Sequence, residues 1–186
     1  MRAQRRSLEP GEHQRRSAAI RRRLLSAPVF MRAGRFAAFL SNDGEPELGP
    51  LFQLAARMGK LAYLPSLHGN GLWFLPFTLE APMVNNRFGI AEPACHPDKR
   101  VKTYALDLVL VPLVAFDDLG SRLGMGGGYY DRAFAYLNAR KRWRRPRLIG
   151  VAFEFQRADK IPTRPWDVRL DGIVTDLGFY PAGRAS

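Results

Sequence analysis

The chain of 186 residues has a single cysteine, Cys95, which rules out an internal disulfide and suits a reducing compartment. Histidine is scarce, at three residues, and Cys95-His96 stand side by side without a second Cys-x-x-Cys or His-x3-His pair. Zinc ligation needs wider spacing, so a zinc-centred function is set aside. Long apolar runs are missing too. The longest, residues 108–116, is broken by Pro112 and falls well short of the roughly 20 residues of a membrane span. The first residues are arginine-rich and reach no apolar stretch, so no secretory leader is expected and the protein is placed in the cytoplasm. There is no Gly-x-Ser-x-Gly elbow of a serine hydrolase, no internal repeat and no low-complexity tail.

Acidic residues are also few, 17 against 29 basic ones, leaving a net charge of +12. Ten arginines fall within residues 1–35, opposed only by Glu9 and Glu12. A second cluster runs Arg140-Lys141-Arg142-Trp143-Arg144-Arg145-Pro146-Arg147 and reads as a solvated turn after a helix. For the first cluster, attraction of small polyanions and RNA binding are equally good readings. A hydrophobic fraction of 46% at this length supports one domain, residues 1–186, with a sizeable core.

Helical spacing is read over residues 12–25, through Ala18, Ile20, Leu24 and Leu25, and again through Leu51, Leu54, Ala55 and Met58. Strands are expected at 35–40, 60–65, 72–77, 107–112, 148–153 and 172–175, and a helix from Tyr129 to about Arg140. Asn42-Asp43-Gly44 is a turn signal after the first strand. Residues 66–105 are turn-rich and read as an excursion over the mouth of the sheet, where binding groups often sit. The alternation of helix and strand implies an α/β fold with a mostly parallel sheet covered by helices on both faces.

One run stands out: Leu119-Gly120-Ser121-Arg122-Leu123-Gly124-Met125-Gly126-Gly127-Gly128-Tyr129-Tyr130-Asp131. Glycines bury no side chain and lose much freedom on folding, so four in five positions make poor core. The run follows an apolar strand and is therefore expected at a strand's carboxyl end, where open α/β sheets bind ligands. A helix opening at Tyr129 would turn N–H groups toward the loop, a setting that suits phosphate. Arg122 adds a charged fork, and Asp131 a hard oxygen for a bridging magnesium ion. The competing reading is a tight turn that needs glycine torsions. A P-loop is excluded because Gly-Lys-Ser/Thr is absent, and the glycine spacing does not fit a dinucleotide fingerprint.

Glu45 and Glu47 follow the first strand and by default read as a solvated loop. Asp167 lies between two strands and reads as either a second magnesium-side carboxylate or a turn residue. Phe88, Tyr129, Tyr130 and Trp166 are candidates for stacking on a planar ring or for plain packing.

Taken together, the chain resembles the 5-formyltetrahydrofolate cyclo-ligase (methenyltetrahydrofolate synthetase) family in its short bacterial form. The likeness rests on Arg5-Arg6-Ser7-Leu8, Asp43-Gly44-Glu45, Gly59-Lys60 leading to Leu64-Pro65, Phe88-Gly89-Ile90-Ala91-Glu92-Pro93, Gln156 and Trp166-Asp167. Its most specific part joins Pro-x-x-Ala-Phe-Asp, ending at Asp117, to the glycine run ending at Asp131. The resemblance implies a Rossmann-like three-layer fold. It also implies ATP- and magnesium-dependent conversion of 5-formyltetrahydrofolate to 5,10-methenyltetrahydrofolate, through a phosphorylated formyl group, with release of ADP and phosphate. Carried over by position, Arg122 would be catalytic, and Arg122, Gly124, Met125, Gly126, Gly127, Gly128, Tyr129 and Tyr130 would hold ATP. Glu45, Phe88, Met125, Gly126, Gly127, Gly128 and Tyr129 would face the folate, and Asp131 and Asp167 the magnesium ion. Where the family commonly reads Glu-x-Asp-Thr, this chain has Glu45-Pro46-Glu47-Leu48. The implied partners are the two substrates, with no membrane or nucleic acid and a monomer as the expected state. A non-catalytic nucleotide- or RNA-binding module on the same scaffold is the alternative. Asp131 discriminates, because a carboxylate in an RNA groove repels phosphates.

Overall fold

The computed structural model describes residues 1–140 and 145–183; residues 141–144 of the second basic cluster lie outside them. Helices α1 (Arg2–Arg6), α2 (Pro10–Ser26) and α3 (Pro28–Arg32) precede strand β1 (Arg35–Ala37), and α4 (Gly49–Arg57) leads to β2 (Leu61–His68) and β3 (Gly71–Phe77). A small hairpin, β4 (Met83–Asn85) and β5 (Ala91–Pro93), comes before β6 (Leu108–Pro112), β7 (Ala115–Phe116) and β8 (Arg122–Leu123). Helix α5 (Tyr129–Phe134), β9 (Arg147–Val151), β10 (Gly172–Val174) and β11 (Phe179–Pro181) complete the order.

Seven strands form one sheet in the order β11-β10-β9-β6-β1-β2-β3. The five inner strands are parallel, while β3 and β11 close the edges antiparallel. Side chains alternate across a strand, and in β6 this sends Leu108 and Leu110 into one core and Val109 and Val111 into the other, all fully buried. The first core packs against Ile20 and Leu24 of α2, Phe30 of α3, and Leu51 and Phe52 of α4. The second packs against Phe134, Leu137, Val168 and Leu170. The expected three-layer α/β arrangement is present, with a thinner second cover made of α5, a 3-10 turn and the segment at 168–170.

Two expected elements are shorter. The first strand ends its ladder at Ala37; Ala38 still donates to Tyr63 O at 3.1 Å, but the chain then bends into the turn at Asn42. The helix expected to reach Arg140 stops at Phe134 and tightens into a 3-10 turn, Ala135–Leu137. Phe134 and Leu137 are both buried, and a spacing of three aligns them on a 3-10 turn.

From β1 the chain moves to β2 on one side, then returns to place β6 on the other. The two connections leave in opposite directions and open a crevice at the strands' carboxyl ends. Much of the N-terminal positive charge is used internally. Arg2, Arg5 and Arg6 converge on Asp43, Arg16 bridges Glu12 and Asp176, and Arg21 donates to Glu47 O.

Candidate active site

A cavity of about 490 Å³ occupies that crevice. Its first wall is the turn after β1. Asp43 (φ 51°) and Gly44 (φ 73°) both adopt left-handed backbone, which swings Glu45 back toward the sheet. The turn is closed by Glu45 N–H donating to Asn42 O at 3.0 Å, and by Ser41 Oγ and His13 Nε2 donating to Glu45 O at 2.6 and 3.0 Å. The Glu45 carboxyl is 9% exposed, lines the cavity and accepts from Asn42 N–H at 3.2 Å. Burial pushes its pKa up to about 7, against the pull of the Arg5 guanidinium and the Asn42 N–H.

The second wall is the glycine loop. Asp117, 1% exposed, accepts from the N–H groups of Leu119, Ser121 and Ile161, so the last residue of the Ala-Phe-Asp motif braces the hairpin that carries Arg122. The Arg122 guanidinium donates to Val168 O and, at 2.6 Å, to Asp131 Oδ1, which also accepts from Val168 N–H at 3.0 Å. Among the described residues, no acceptor pairs with the N–H groups of residues 124–128. Gly127 has no room for a side chain, since a Cβ there would lie 2.7 Å from the Tyr129 ring. Tyr130 also lines the cavity, and burial together with the nearby Glu45 carboxyl raises its phenol pKa.

The third wall is the β4–β5 hairpin. Glu92 is 8% exposed and accepts from Ser66 Oγ, Leu67 N–H and Asn86 Nδ2 at 2.7, 2.9 and 2.7 Å. Asn86 Oδ1 in turn accepts from the N–H groups of Phe88 and Ile90, fixing the hairpin tip over the cavity. From that tip Arg87 donates to the Tyr129 hydroxyl, joining the excursion to the glycine loop.

A sequence profile of the 5-formyltetrahydrofolate cyclo-ligase family matches residues 1–176. The chain belongs to that family. It is 36% identical over 180 residues to the 5-formyltetrahydrofolate cyclo-ligase of Escherichia coli (strain K12), covering 94% of this chain and 96% of the relative. The Haemophilus influenzae enzyme of the same name is 38% identical over 147 residues, covering 76% and 75%. The NMR structure of Aquifex aeolicus 5,10-methenyltetrahydrofolate synthetase superposes with a TM-score of 0.83 at 33% identity, covering all of this chain and 91% of that one. The chain is thus a ligase of folate one-carbon metabolism.

Against this cyclo-ligase framework, Glu45, Phe88, Arg122, Gly124, Met125, Gly127, Gly128, Tyr129, Tyr130 and Asp131 all line the one cavity. Gly126 sits in the same loop, at φ 90°, without lining the wall. Asp167 is placed elsewhere: its Oδ2 accepts from Arg164 N–H at 2.7 Å, and it lines a separate depression with Asn138 and Arg140. It approaches the cavity only through its neighbour Val168. Sequence alone does not reveal Arg5, Asn86 or Glu92 as parts of the site. Arg5 and Glu92 both stand in pieces that carry the resemblance, Arg5-Arg6-Ser7-Leu8 and the run ending Glu92-Pro93, but neither piece assigns them a role.

Proposed function

We propose that this cavity binds ATP and 5-formyltetrahydrofolate side by side and performs the family's ring closure. The observation that carries this reading is that Glu45 and Asp131, which come from different strand ends, line one cavity. The free N–H groups at 124–128 suit phosphate oxygens, which need many donors at short range. Glu45 in its ionised form accepts from the N–H donors of a pterin, and Phe88, 57% exposed at the rim, can cover the ring face. Tyr130, kept protonated, remains a donor inside the cavity.

The donor set also fits a magnesium ion. Asp131 Oδ1 is engaged, but Oδ2 has no protein partner among the described residues. No group of three His, Cys, Asp or Glu side chains gathers there among the described residues, and magnesium does not require one: it takes one or two carboxylates plus substrate phosphates and waters. Asp131 would hold it; Asp167 lines a separate depression and would have to shift toward the cavity to join. When bound, the ion neutralises charge on the transferring phosphoryl group.

In the reaction the formyl oxygen attacks the γ-phosphorus and ADP leaves. N10 then adds to the activated carbon, loses its proton, and phosphate departs as the double bond to N5 forms. The chain needs no nucleophile of its own; its residues hold two ligands in line and stabilise phosphate charge. Arg122 secures Asp131 and adds positive charge at the wall that would face the phosphates. One chain supplies the whole cavity, so a monomer suffices, and the lone Cys95 suits a cytoplasmic setting. Purified protein with Mg-ATP and 5-formyltetrahydrofolate should produce the near-ultraviolet absorbance of the methenyl product and one ADP per turnover. Neither signal at high enzyme concentration would defeat the reading.

A further inference from the structure

We propose that Arg5 is a positioning residue for the folate half of the site: it ties the turn after β1 to the end of β6 and so aims Glu45 into the cavity. The proposal rests on the functional reading above and extends it to a residue that touches neither substrate.

The geometry is specific. Arg5 is 1% exposed, and it is the largest side chain type among those fully buried. Its Nε donates to Asp43 O at 2.8 Å, its Nη2 to Asp43 Oδ2 at 2.9 Å, and its Nη1 to Leu113 O at 3.1 Å. One planar group thus spans the two strand ends that diverge at the crevice. Leu113 O is held from its other side by Gln156 Nε2 at 2.9 Å, so the far anchor is itself fixed. Asp43 is a non-glycine residue in left-handed backbone, a state that persists only where its surroundings impose it. Gly44 packs directly on α1: a Cβ there would sit 2.8 Å from Arg5 O.

A buried guanidinium is an expensive way to fill space, and an apolar side chain of like volume avoids its desolvation. What the guanidinium provides here is direction, because its fork fixes the angle between two loops. It also provides charge. The charged and titratable groups around Glu45 are Arg5 from α1, Asp43 from the turn, His13 from α2 at the Glu45 carbonyl, Tyr130 from α5, and Arg122 and Asp131 across the cavity. Arg5 favours the ionised carboxyl that a pterin N–H donor requires.

The test uses Arg5→Met, Arg5→Lys, Glu45→Gln and the Arg5→Met/Glu45→Gln double variant of the full chain. Arg5→Met should raise KM for 5-formyltetrahydrofolate about tenfold, leave KM for Mg-ATP within about twofold, and move the acid limb of kcat/KM for folate to higher pH. Arg5→Lys keeps the charge and loses the fork, so it should raise the folate KM while the acid limb stays in place; it also serves if the methionine variant does not fold. The double variant should be no worse than Glu45→Gln alone. Equal rises in both KM values with an unmoved limb, or losses that multiply in the double variant, would make Arg5 merely structural and overturn the proposal. Calorimetry with 5-formyltetrahydrofolate alone reads the same effect without turnover. A wild-type protein that binds folate but makes no product would count against the reaction, and the Arg5 effect on binding would still stand or fall by itself.

Discussion

Glu45 carries two conflicting demands: it is buried, which favours its neutral form, and in the proposed site it would face N–H donors that favour the charged one. With a folded pKa of about 7 and an ordinary value of 4.5 when unfolded, the native state binds the proton more tightly between those pH values. Stability contributed by this group is therefore present below the unfolded value and is lost as pH rises through 7. Glu45→Gln should leave stability unchanged near pH 4 and raise it at pH 8 by about 3 kcal/mol, read from urea unfolding at the two pH values. The same substitution should remove the acid limb near pH 7 from kcat/KM for folate. Arg122, read from sequence as a charged fork for phosphate, is also part of the packing. Its side chain is 6% exposed and is bonded to Val168 O and Asp131. Arg122→Ala should lower stability by about 2 kcal/mol as well as weaken ATP use, because Val168 O loses its side-chain donor and the half-buried Asp131 carboxylate its ion-pair partner. Unchanged Tm alongside lost ATP use would mean that Arg122 serves the ligand alone.

Elements differ in how far the sequence announces them. The apolar run of β6 and the glycine loop were legible because their signals are local: four buried aliphatics in succession, then residues with no packing value. The hairpin β4–β5 and the edge strand β11 were not, since each strand is three residues long, too short for a period to show. Arg5 and Glu92 were missed for another reason. Their partners lie far along the chain, Arg5 being 38 and 108 positions from its acceptors and Glu92 25 positions from Leu67. Asp167 is the reverse case: motif position suggests a shared ion site, while in the structure its Oδ2 accepts from Arg164 N–H and it lines a separate depression. The hairpin itself is testable. Glu92→Ala leaves three donors without their acceptor, so unfolding free energy should fall by about 2 kcal/mol and folate KM should rise, while ATP KM holds. A parallel rise in ATP KM would mean that the brace supports the glycine loop as well.

At the scale of the molecule, a sheet of five parallel strands with antiparallel edges brings together residues from α1 through α5 at one end. The net charge of +12 remains after the internal pairings of the N-terminal arginines, and it should draw in polyanionic ATP. Accordingly, kcat/KM for ATP should fall as ionic strength rises from about 0.01 to 0.15 M, where the screening length drops from roughly 30 to 8 Å, with kcat unaffected. Nothing in the cavity favours the RNA-binding alternative, and Asp131 at its wall opposes it. The sheet itself begins at residue 35, whereas the guanidinium that joins its two diverging loops belongs to residue 5. Trypsin trimming after Arg6 would therefore spare every strand and, on the proposed role of Arg5, should raise the folate KM. Fusion partners are thus best kept clear of the first helix, whose Arg5 reaches both loops.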